Sequence, residues 1–198
     1  MPVSDELFLS HVNIDDPLTR VVRCHQDFDA LLTEIINKVL IESHYLEVER
    51  IPFPLKVELA IALGKVEMEL RSPLLKFNSI RNEFAHDSKT SLTEEDARDF
   101  YNVFDSPKIR AAVGENYDSI GAGKPQGHAD CVVALLCGVL YSSLRIAVER
   151  TLWEEAERES LQEWMSKRPP VPQHIHEQVH KELSERVERM KKEWNEDK

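Results

Sequence analysis

The chain has 198 residues, enough for one sizeable domain plus an appendage. Charged residues make up 31% and hydrophobic residues 41%, and only 6 are Gly, a balance that favours helices with a charged surface. The net charge of −11 repels phosphate, which excludes diffuse nucleic-acid binding and confines any nucleic-acid function to a concentrated site, for instance one built by two subunits.

The opening Met1-Pro2-Val3-Ser4-Asp5-Glu6 holds no basic stretch followed by an apolar one, so no signal peptide is expected. A short helix is expected from Ser4 to His11. Asp16-Pro17 then pairs an N-cap residue with Pro at the first helical position, where a missing N–H costs nothing. It opens a long helix to about Ser43, whose apolar positions (Val21, Phe28, Leu31, Leu32, Ile35, Ile36, Val39) recur in steps of three and four. His25 and His44 fall on this helix and are expected at the surface or half-buried, not as ligands.

A loop with Pro52 and Pro54 leads to a helix over Leu55–Leu63 that Gly64 stops. Ser72-Pro73 marks the start of a helix to His86. Thr93 followed by Glu94, Glu95 and Asp96 starts one to Phe104, with acids suited to the positive end of the helix dipole. Ser106-Pro107 starts another, to Asn116.

The span Gly114–His128 contains four Gly and one Pro and reads as a loop. Its Gly121-Ala122-Gly123-Lys124 superficially suggests a phosphate loop, but the full spacing and a preceding strand are lacking. The longest helix is expected from Ala129 to Lys167. Its first half is apolar nearly all round, as suits the centre of a bundle. The uncharged run Cys131–Leu144 is short for a spanning helix and ends at Arg145, so no membrane is expected. Trp153, Trp164 and Trp194 are expected as packing anchors, with Leu152, Leu161 and Met165 as further apolar contacts.

Pro169, Pro170 and Pro172 form a stiff linker to a last helix, Gln173–Trp194. There Ile175, Val179, Leu183, Val187, Met190 and Trp194 form a narrow stripe, flanked by the i,i+4 pairs Glu182–Arg186, Glu185–Arg189 and Glu188–Lys192. Such a stripe docks within its own subunit or on another. The fold class is therefore all-α: a multi-helix up-and-down bundle over residues 1–168, then a C-terminal helical arm over 169–198. Cys24, Cys131 and Cys137 are odd in number and fit no zinc ribbon, so buried thiols in a reducing, cytoplasmic setting are expected.

His176-Glu177-Gln178-Val179-His180 matches H-E-x-x-H, a zinc-peptidase pattern on a helix. It sits in a charged tail with no third ligand at a known spacing, so solvated histidines are expected, and neither a metal nor a cofactor.

The most informative stretch is Leu74 to Asp87. Leu74, Phe77, Ile80 and Phe84 can face a core, and Arg81, Asn82 and His86 gather near the helix end. Asn82 and His86 share a stripe, whereas Arg81 and His86 lie roughly 140° apart around the axis and about 7.5 Å along it. They converge only if the helix frays at His86 or a substrate bridges them. Read for structure alone, His86 caps the helix, Arg81 pairs with a carboxylate and Asn82 caps a turn.

Arg81-Asn82-Glu83-Phe84-Ala85-His86 resembles the R-N-x-x-x-H signature of the HEPN superfamily, an all-α group with many metal-independent ribonucleases and other inactive or regulatory members. A longer resemblance, over about residues 15–105, is to the mannitol operon repressor family. It rests on Phe53-Pro54-Leu55-Lys56-Val57-Glu58-Leu59-Ala60-Ile61-Ala62-Leu63-Gly64, on Arg81–Asp87, and on Leu92-Thr93-Glu94-Glu95-Asp96. The first resemblance implies His86 as general acid or base on a ribose hydroxyl or leaving oxygen, Arg81 holding the phosphate, and Asn82 positioning either, usually with two motifs facing one cleft in a homodimer. The second implies a transcriptional regulator acting through protein partners. Direct DNA reading is not expected, because no basic recognition helix is visible. The acidic charge places the regulator first, the ribonuclease with RNA as ligand second, and a structural helical oligomer third.

Overall fold

Asp16 caps the second helix, its carboxylate accepting from the Thr19 backbone N–H at 2.8 Å while Pro17 takes the first helical position. The computed structural model describes residues 3–40, 45–86, 90–114, 117–121, 127–167 and 173–196. Among these it is all-α, without a strand. The helices are α1 (Asp5–Val12), α2 (Pro17–Val39), α3 (Phe53–Ala62), α4 (Arg71–Ala85), α5 (Glu94–Asn102), α6 (Pro107–Gly114), α7 (Gly127–Ser166) and α8 (Gln173–Glu196).

Thr93 forms a capping box on α5: its hydroxyl accepts from Asp96 N–H at 3.2 Å, and the Asp96 carboxylate accepts from Thr93 N–H at 2.8 Å. Elsewhere the boundaries move. α2 ends at Val39, because Leu40 turns to extended backbone, and residues 41–44 lie outside the described residues. α3 starts at Phe53, not Leu55: the Pro52 carbonyl accepts from Leu55 and Lys56 N–H, and Pro54 has no N–H to satisfy. Gly64 follows at φ 69, a left-handed turn that stops the helix. α4 is capped by Leu70 rather than Ser72, since the short 3-10 turn Met68–Leu70 runs straight into it; Pro73 still sits in the first turn, where its missing N–H goes unneeded.

The chain divides into two compact units, Met1–Ala156 and Glu157–Lys198, a division that falls inside α7. In the first unit α2, α4 and α7 supply the centre of the core: Leu31, Ile35, Leu74, Ile80, Leu136 and Leu140 are all fully buried. Phe77 stands between Phe28 and Phe100, with ring centroids 5.2 and 5.6 Å away, and Phe100 continues to Phe104 at 5.5 Å. Arg20 of α2 and Asp130 of α7 form a buried ion pair at 3.1 Å. Cys24 and Cys137 are buried and free, whereas Cys131 is only half-buried.

By length and composition α7 is apolar enough to cross a membrane, more so than the run Cys131–Leu144 suggests, and half of its apolar window is buried inside the protein. Its buried positions end at Thr151. Beyond that point the expected burial is lost: Trp153 is 78% exposed and Trp164 52%, and Leu161 and Met165 are exposed as well. The side chain of Trp194 lies outside the described residues.

His128, at the start of α7, joins three segments. Its Nδ1 is 2.6 Å from Glu94 Oε2 and its Nε2 is 2.7 Å from the Tyr117 carbonyl. Both partners only accept, so both bonds form only on the imidazolium. The Tyr117 carbonyl and then Glu94 raise the His128 pKa above its ordinary 6.5. A raised folded value adds stability that is fully present below pH 6.5 and lost as pH rises through the folded pKa. Melting temperatures followed by circular dichroism across this window should fall with rising pH, and His128→Asn should flatten that dependence; an unchanged slope in the variant would reject the assignment.

Candidate functional site

α4 carries Asn78, Arg81 and Asn82 at spacings of three and four, so they share one face while Phe77, Ile80 and Phe84 point into the core. That polar face meets the polar face of α2 and the first residues of α3 around an open cleft of about 900 Å³. Its walls include His25 and Asp29 from α2, Phe53 from α3, and Asn78, Arg81 and Asn82 from α4.

Two of the three residues expected from the motif thus line one cleft. Arg81 Nη1 donates to Asn82 Oδ1 at 2.9 Å, which orients the guanidinium along the wall. His86 is not among the lining residues. α4 ends at Ala85, and His86 is the exposed C-cap residue, its backbone N–H donating to the Asn82 carbonyl at 3.1 Å. The helix stays wound through Ala85, and His86 leaves helical geometry as its C-cap residue, at φ −99 and ψ 18.

The histidine that does line the cleft is His25, which sequence reasoning set aside. It is 8% exposed, and its Nε2–H donates to Asn78 Oδ1 at 3.0 Å, leaving Nδ1 as the acceptor of the neutral ring. Burial, and to a lesser degree the positive Arg81, lower its pKa below the usual 6.5, against the opposing pull of the Asn78 bond. The ring packs on Phe53 with centroids 4.3 Å apart. One turn further along α2, the Asp29 carboxylate accepts from Lys56 Nζ at 2.7 Å; the Lys56 side chain is fully buried. These partners lie far apart in the chain, and the available sequence signal was only the i,i+4 step His25–Asp29 along an amphipathic helix.

Electrostatically the cleft is mixed. Arg81 is the cation among its lining residues, against Asp29, Glu34 and Glu49, and Asp29 is already neutralised by Lys56. A polyanionic strand laid along it would meet the Glu34 and Glu49 carboxylates, neither of which pairs with a described cation. The arrangement suits a ligand that offers one anionic group to Arg81 and donors to the carboxylates, as a polypeptide segment does.

Among the described residues no three His, Cys, Asp or Glu side chains gather as metal ligands. The side chains of His174 and His176 lie outside the described residues, as do His44 and residues 122–126 of the glycine-rich loop; His180 is exposed. Comparison of the chain with family models, with curated proteins and with solved structures finds no match.

Proposed function

We propose that the chain is a mannitol-repressor-like transcriptional regulator that acts through protein contacts, in the cytoplasm, as a homodimer, without reading DNA directly. The observation that carries this reading is the separation of the motif: Arg81 and Asn82 line the cleft, and His86 does not. Binding then falls to Arg81 and Asn82, and His86 serves as the helix cap. The acidic wall of Glu34 and Glu49 favours a protein ligand over an RNA strand. The resemblance over residues 15–105 supports the same reading.

The competing reading, a metal-independent ribonuclease using Arg81, Asn82 and His86, predicts cleavage of RNA, whereas the regulator reading predicts none. A mixed RNA pool, incubated without metal, should stay intact with the wild type and with Arg81→Ala and His86→Ala proteins of matched circular dichroism. Cleavage by the wild type that both variants lose would overturn the regulator reading. Cleavage that survives His86→Ala but not His25→Ala would move the chemistry to the buried histidine of the cleft.

A further inference from the structure

The second unit contains a surface that the cleft does not explain. On α8, Val179, Val187 and Met190 lie within about 40° of Leu183 around the axis, with Ile175 at the edge of the same stripe. These five side chains are between 40% and 60% exposed. An apolar stripe four turns long facing water is the pattern of an unsatisfied helix–helix seam.

Charge along the helix indicates what covers it. Glu177, Glu182 and Glu185 outweigh Lys181 in the first half; Arg186, Arg189, Lys191 and Lys192 then outweigh Glu188, before Glu193 and Glu196 end the helix. A copy of the same helix laid antiparallel sets the acidic part against the basic part. With Leu183 on the partner's Leu183, Val179 meets the partner's Val187. Glu182 and Arg186 lie on the same flank of the stripe, roughly 100° and 60° from Leu183. In an antiparallel pair like flanks face each other, so Glu182 lies across from the partner's Arg186, and two-fold symmetry repeats the pair. A parallel pair brings the other flank opposite, and Glu182 then faces Ser184.

We propose that α8 forms an antiparallel two-helix seam with α8 of a second copy of this chain, centred on Leu183 and registered by reciprocal Glu182–Arg186 ion pairs. This deepens the protein-contact reading by naming how the homodimer forms. Its readout is molecular mass and not RNA cleavage, so either idea can fail alone.

The test uses the full chain in analytical ultracentrifugation with Glu182→Arg and Arg186→Glu, each checked for unchanged helicity. Each variant sets like charges opposite each other twice, and its dimer should dissociate about tenfold more readily than the wild type, about 1.4 kcal/mol. Each also sets like charges four residues apart within its own helix, so the decisive arm is an equimolar mixture. There the introduced arginine of one variant faces the introduced glutamate of the other, and dimer mass should return while the strain within each helix remains. A monomeric wild type, single variants with wild-type affinity, or a mixture that stays monomeric would each overturn the proposal; the first would mean that the stripe docks within its own chain.

Discussion

Asp29→Ala should destabilise the chain by about 3–5 kcal/mol, whereas Lys56→Met should cost less than about 1.5 kcal/mol. The asymmetry follows from where each charge sits. The Lys56 side chain is 0% exposed and the Asp29 side chain 35%. Removing Asp29 strands an ammonium group in the protein interior without its acceptor at 2.7 Å. Removing the amine leaves a carboxylate that can turn to water from the cleft wall, while Met fills most of the vacated volume. Urea denaturation followed by far-UV circular dichroism measures both costs. Equal costs would mean that the two charges are equally shielded, contrary to the described burial.

Phe77→Ala is the other substitution with a large expected effect, about 3–5 kcal/mol. The ring is fully buried and touches Phe28 of α2 and Phe100 of α5. Its loss opens a cavity where three helices meet, and two edge or stacked aromatic contacts go with it. The consequence reaches the cleft, because Asn78 follows Phe77 directly and holds His25 across the α2–α4 contact. A cost below about 1 kcal/mol would place the core elsewhere.

The sequence and the structure agree best where the cause is local. A cap such as Asp16 or Thr93 acts on the next turn of chain, so its signal is complete within a few residues. The end of α4 is also close to its expected place, one residue short at Ala85, with His86 as the C-cap residue. The cleft was far less legible. Lys56 sits among Val57, Leu59 and Ala60 and reads as one solvated lysine on an apolar helix; only the arrival of Asp29 from α2 makes its burial tolerable. His25 gains its meaning from Asn78, fifty-three residues away. Helix boundaries shifted where one element ran into the next, as the 3-10 turn before Arg71 displaced the cap expected at Ser72. Trp153 misled because large aromatic rings are usually buried, while the buried stretch of α7 stops at Thr151.

That placement of tryptophan decides how the protein can be watched. No Trp precedes position 153, and the indoles at 153 and 164 already face solvent in the native state. Their emission should be close to water-like before any denaturant is added. Melting of the α2–α4–α7 core should pass almost unseen in the emission of these two indoles, so a flat trace from them under denaturant would report a silent probe and not a stable protein. Tyr141, stacked on Phe8 with centroids 3.9 Å apart, is the native chromophore placed to report that core, through near-UV dichroism.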